Sequence, residues 1–145
     1  MSGKRTVPDV PQNRLPVTDA AKVKALLGYD IAEGVTVAEY EAWLADVHFP
    51  ELLSNPYLDR LVVNDVVRPI TASSSGTATA QDPVTFYRVV ELHFADRDAY
   101  DGYLQWFDEH PLDPERGPAG RTAFRFYVLA DSVIADRDHP YQAHN

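Results

Sequence analysis

The stretch TVAEYEAWLADVHFPELLSNPYLDR, from Thr36 to Arg60, decides how the rest of this chain reads. Val37, Tyr40, Leu44 and Val47 recur at helical spacing, and Thr36 with Glu39 fits a capping box, in which each side chain covers an orphan backbone N–H of the other. Pro50 has no N–H and its ring collides with the carbonyl four residues back, so the helix is expected to kink or restart near His48 to Pro50. Pro50 then suits the first turn of a second short helix. His48 falls at the discontinuity, where side chains are often left free for a ligand. Asn55-Pro56 closes the stretch, because proline disfavours helix for the residue before it.

Outward from this helix the chain reads as strands and one more helix. Upstream, KVKALLGYD (Lys22 to Asp30) sets Val23, Ala25, Leu27 and Tyr29 on alternate positions, the pattern of a strand buried on at least one side. Downstream, LDRLVVNDVVRPI is rich in β-branched residues and predicts a long strand. Thr71 to Asp82, TASSSGTATAQD, has no large side chain and reads as a mobile hairpin loop. In VTFYRVVELHF, Phe86, Arg88, Val90, Leu92 and Phe94 share one face and Tyr87, Val89, Glu91 and His93 the other, so both faces carry apolar residues. Asp96 is a good N-cap for a second helix over Arg97 to about Glu109, with Tyr100, Tyr103, Leu104 and Phe107 as its apolar stripe. His110-Pro111 ends it. Leu112 to Arg121 is a proline- and glycine-rich loop, and TAFRFYVLADSV, Thr122 to Val133, is the last strand.

The element order, strand-helix-strand twice, is the split βαβ pattern of a ferredoxin-like α+β fold: a four-stranded antiparallel sheet with two helices on one face. Residues 1–17 are expected to form a flexible N-terminal tail, 18–135 a single domain and 136–145 a C-terminal tail. Two helices cover only one face of such a sheet, so a two-fold homodimer with sheets facing each other would cover the other.

The 145 residues carry a formal net charge of −9, which argues against nucleic acid or an anionic membrane as partner. Cysteine is absent, which suits a reducing cytoplasm. No signal-peptide pattern is present near the start, and no run approaches the roughly 20 apolar residues of a membrane helix. A soluble cytoplasmic protein is the expectation. There is no glycine-rich phosphate loop and no metal-ligand spacing, which predicts no cofactor and no metal.

With the pattern KVKALLGY, the helix-end run His48-Phe49-Pro50-Glu51-Leu52 and the strand Val90-Glu91-Leu92-His93-Phe94 leading to Asp96, the sequence resembles the dimeric α+β barrel superfamily, closest to its EthD-like branch. The run at His48 resembles that family's H-x-P-L motif, with Glu51 standing before the leucine as a departure. The resemblance spans about Lys22 to Val133. It implies a homodimer whose protomers each hold a pocket between sheet and helices, with His48 at that pocket. The superfamily includes cofactor-independent monooxygenases, polyketide cyclases, lactone isomerases and dehydratase-like enzymes, so the fold alone does not fix the chemistry.

His48 is the first candidate for a general acid or base, since imidazole changes charge near neutral pH; a helix-end histidine facing the macrodipole is the plainer reading. His93 projects beside Glu91, and the two could act together or form a polar pair at an interface. Asp65 stands in an otherwise apolar strand, either as a pocket acid or as the mark of a bulge or edge. Arg88 could bind an anionic oxygen or sit in an intramolecular salt bridge. Tyr40, Trp43, Tyr57 and Trp106 could line a flat substrate or belong to the core, and His110 is a binding candidate that a helix stop explains as well. The expected ligand is a small hydrophobic or aromatic molecule. The leading functional expectation is a small cofactor-independent enzyme performing acid/base cyclisation, isomerisation or dehydration of a polyketide-like or aromatic intermediate. A cofactor-free monooxygenase and a non-catalytic carrier are the alternatives.

Overall fold

The structure, a computed structural model, describes residues 22–67, 71–72, 78–79 and 86–142. The tail expected over 1–17 lies outside the described residues. β1, Val23–Ile31, is one of two inner strands, and its alternation is as the sequence predicts: Val23, Ala25, Leu27 and Tyr29 are all buried. β2 (Arg60–Asp65), β5 (Arg88–Phe94) and β6 (Thr122–Asp131) complete an antiparallel sheet of order β2-β5-β1-β6. Val90, Leu92 and Phe94 pair across from Leu27, Ala25 and Val23, so one sheet face carries the core. That face meets both helical segments.

β2 is shorter than its β-branched run suggests. It pairs only with β5, and β5 begins at Arg88 opposite Asp65, so no pairing partner continues past that point. Before Arg88 the alternation also lapses: Tyr87 turns toward the first helix, where it packs edge-on against Tyr40, while Phe86 packs on Phe126. The sequence placed both on the opposite faces. The segment read as a loop carries a two-residue ribbon, β3 (Thr71–Ala72) with β4 (Ala78–Thr79); the rest of it lies outside the described residues.

The first helix starts at the capping box, with Thr36 Oγ1 accepting from the Glu39 N–H and Glu39 Oε1 accepting from the Thr36 N–H. α1 runs Val37–Trp43 and α2 runs Phe49–Leu53. Between them the helix neither breaks nor restarts. It passes through a π-helical turn, Leu44–His48, in which the Phe49 N–H reaches back five residues to the Leu44 carbonyl. Opening the turn by one residue is how the chain admits Pro50 in the first turn of α2 without a gap. α3, Arg97–Glu109, starts at Asp96, whose carboxylate accepts from the Ala99 N–H at 2.8 Å.

Two local features hold the frame in register. A bulge opposite Gly28 and Tyr29 makes Arg125 the extra residue of β6, and this brings Phe124 and Tyr127 to the same core-side face, their ring centroids 6.1 Å apart. Gly28 lies beneath the Phe126 ring, where a Cβ would stand 2.1 Å from ring carbon. The buried Asn55, 1% exposed, ties the end of the first helical segment to α3: its Nδ2 donates to the Tyr103 carbonyl at 3.0 Å and its Oδ1 accepts from the Tyr57 N–H at 2.9 Å. Replacing Asn55 with alanine strands the Tyr57 N–H and cuts the tie to the Tyr103 carbonyl, and is expected to cost about 2 kcal/mol of unfolding free energy in a urea titration.

Candidate functional site

Between the core face of the sheet and the helices lie two adjoining hollows. The smaller, about 30 Å³, is lined in part by Tyr29, Tyr40, Leu44 and Thr122. The larger, about 390 Å³, extends toward Tyr103, Phe107, Leu112, Pro118 and Tyr127. They share Leu27, His48, Leu52, Leu92 and Phe124, so His48 stands where the two meet. Phe124 and Tyr127 are 47% and 48% exposed, which puts the open side along β6. Among the described lining residues there is no Asp, Glu, Lys or Arg.

The π turn ends at His48 and so sets the direction of its imidazole. The ring stacks on Trp43, centroids 4.5 Å apart and nearly parallel. Trp43 is itself pinned: its indole N–H donates to the Arg116 carbonyl at 2.7 Å and the Arg121 guanidinium stands over its ring, 5.4 Å from the centroid. Arg116 and Arg121 belong to the loop after α3, where a single 3-10 turn, Pro114–Arg116, is capped by Asp113. The loop that closes one end of the larger hollow therefore also braces the histidine.

His48 Nδ1 is buried and has no hydrogen-bond partner among the described residues, and burial alone depresses the ring's pKa from 6.5 to about 4. The imidazole is neutral at physiological pH and keeps a lone pair for a proton. Glu51, the departure within the motif, pairs with Arg116 at 3.3 Å through one oxygen and buries the other unpaired.

Tyr29 escaped the sequence reading. It is 4% exposed, and its hydroxyl is buried with no bond of good geometry among the described residues. Arg88 and Tyr40 are its polar neighbours, and the Tyr40 hydroxyl is itself 2.8 Å from Thr122 Oγ1. Burial pushes the Tyr29 phenol well above its usual pKa, so it stays protonated. In the sequence it was one more residue on the inner face of a strand. Its signal was only that a tyrosine, rather than an aliphatic residue, ends that inner row.

The remaining candidates fall in three other places. Arg88, on the core face but outside both linings, pairs with Asp65 at 2.6 Å and Glu41 at 2.9 Å, and Tyr87 donates to the same Glu41. Burial works against the arginine's charge, but Asp65 and Glu41 outweigh it and hold the guanidinium ionised. The Asp65 side chain is 75% exposed at the end of the edge strand. His93 and Glu91 do share a face, 3.0 Å apart, on the side of the sheet away from the helices. Glu91 there also binds Lys24 at 3.3 Å and Asn64 at 2.9 Å; burial raises its pKa, but the bonds from His93, Asn64 and Lys24 prevail and hold the carboxyl below its usual range. Tyr57 and Trp106 line a separate recess of about 120 Å³ with Gly102 and Glu109, and His110 stacks on Trp106 while contacting that residue's carbonyl. Tyr40 lines the smaller hollow and Trp43 backs His48. Among the described residues no three potential ligands gather to hold a metal, and no helix is long and apolar enough to cross a membrane.

An α+β sheet of this order with a pocket under its helices defines the structural class. Among solved structures the chain is similar to HapK from Hahella chejuensis, at 14% identity and a TM-score of 0.51, covering 84% of this chain and 99% of that one. It is likewise similar to an EthD-like protein from Ralstonia eutropha JMP134, at 16% identity and a TM-score of 0.51, covering 82% of this chain and 98% of that one. No family model and no curated protein matches the sequence. The likeness is of fold, and it is the EthD-like fold that the sequence pattern resembles.

The depressed pKa of His48 has a consequence for stability. The unfolded chain takes up a proton near pH 6.5 and the folded chain only near 4, so folding loses stability as pH falls between these values. In melts recorded from pH 7.5 to 4, His48→Gln is expected to flatten the decline relative to the wild type.

Proposed function

We propose that this protein is a proton-transfer enzyme that works with side chains alone, cyclising, isomerising or dehydrating a polyketide-like or aromatic intermediate, with His48 as its general base. The observation that carries this reading is the unpaired, neutral imidazole at the junction of two uncharged hollows. A base is effective when its proton-accepting form dominates at working pH and its lone pair faces the substrate. The cavity is within the usual range for small-molecule sites and its aromatic walls suit a flat ring system. The proposal includes a homodimer formed over the outer sheet face, where Leu26, Val89 and Val128 are partly exposed around the Glu91 cluster.

The test uses 2-tetralone, an uncharged two-ring ketone with acidic C–H bonds beside its carbonyl. Wild-type protein in D₂O is expected to accelerate deuterium exchange at that carbon, followed by proton NMR. His48→Ala is expected to slow the exchange by roughly 10²–10⁴-fold while leaving the circular dichroism spectrum unchanged. Equal exchange in both proteins rules out His48 as the base. Ketone binding with no exchange in wild type would instead mark a carrier.

A further inference from the structure

The geometry points to Tyr29 as the second catalytic group of this site, the hydrogen-bond donor that holds the substrate's carbonyl oxygen in the smaller hollow while His48 takes the proton. This rests on the proposed role of His48 and names its partner.

A buried hydroxyl with no partner costs about 1–3 kcal/mol, so native interiors rarely keep one without a reason. Tyr29 is a completely enclosed case: almost no surface, no hydrogen bond, and a position on the wall of the hollow that His48 also lines. His48, whose Nδ1 is a second buried polar atom without a partner among the described residues, lines the same hollow. The other polar side chains of that wall, Tyr40 and Thr122, are bonded to each other. Two groups are therefore left to receive a ligand, one an O–H donor and the other an imidazole with a free nitrogen. The hollow's volume of about 30 Å³ is above the roughly 10–15 Å³ a cavity needs to hold one water, room for a small polar group rather than a ring. The larger hollow beside it has room for the rings.

These parts define a balanced step. The C–H bond beside the substrate carbonyl breaks, its proton passes to the imidazole, and the electron pair becomes an enolate. Tyr29 donates a hydrogen bond to the enolate oxygen and keeps its proton, which burial of the phenol favours. The neighbouring Arg88 charge adds favourable potential at that oxygen. Return of the proton from His48 to a different carbon completes isomerisation; its delivery to a hydroxyl on the next carbon, which leaves as water while the enolate electron pair forms the new C=C bond, completes dehydration.

Tyr29→Phe removes only the unpaired oxygen, so the fold is expected to hold. With 2-tetralone bound, the infrared carbonyl stretch in wild type is expected at lower wavenumber than for the ketone in hexane, and in Tyr29→Phe it returns toward the hexane value. Deuterium exchange in the same variant is expected to fall about 100-fold, the usual loss when one oxyanion donor is removed, with the ketone's dissociation constant changed little. His48→Ala keeps the lowered stretch while losing exchange, which separates the two roles. A stretch in Tyr29→Phe equal to that of wild type overturns the inference whatever becomes of His48, as does a wild type that leaves the stretch at its hexane value.

Discussion

Pro50 constrains everything at the cavity. A proline in a helix lacks the N–H for one bond and crowds the carbonyl four residues back, and a chain can respond by ending the helix, kinking it or widening the turn. Here it widens, over Leu44–His48. The consequence is angular: an extra residue in the turn shifts every later side chain around the axis. His48 thereby turns its ring onto Trp43 and over the sheet. Leu52, one turn further on, lands on the same cavity wall. The histidine's direction thus comes from a backbone rule, while its neutrality comes from the uncharged walls it is turned toward.

A second constraint is that the sheet must serve two different environments. Its inner face is a continuous apolar surface broken only near one end, where Arg88, Asp65, Glu41, Tyr87 and Tyr29 gather. Placing a guanidinium there is affordable because two carboxylates meet it, and one of them, Asp65, keeps contact with water. The outer face carries its own polar centre, Glu91 with donors from three strands. Such a centre on an otherwise part-apolar surface fixes what can lie against it, because any covering group must leave those bonds intact.

Much of the frame was legible because periodicity is a direct imprint of burial. The inner row Val23, Ala25, Leu27, Tyr29, the capping box at Thr36 and the extent of α3 follow from spacing and cap chemistry alone. Of the residues around the hollows the sequence singled out His48, where proline and histidine stand together, with Tyr40 and Trp43 beside it. Tyr57, Trp106 and His110 show why aromatic content is a poor guide to a cavity. On α3 the core-facing stripe is Tyr103 and Phe107, and Trp106, three residues after Tyr103, points to a different recess beside Tyr57. The sequence cannot say which of two hollows an aromatic borders until both helices are placed. Nor could it single out Tyr29, since an unpaired hydroxyl and a packed phenol have the same periodicity.

The unpaired groups make sense as a group rather than singly. Tyr29 Oη, His48 Nδ1 and Glu51 Oε1 are each buried without a partner, and all three belong to the first strand or the helix that packs on it. Each lowers the stability of the empty protein, by the logic that desolvation without a new bond is a net loss. A chain that already devotes a bulge at Arg125, a π turn and a braced loop to positioning these residues has the means to satisfy them internally, as it does for Tyr40 with Thr122 and for Trp43 with Arg116. That it leaves Tyr29 and His48 of one hollow without partners among the described residues, while pairing their neighbours, is what the proposed roles require: preorganised polar groups stabilise developing charge best when no internal bond must first be broken.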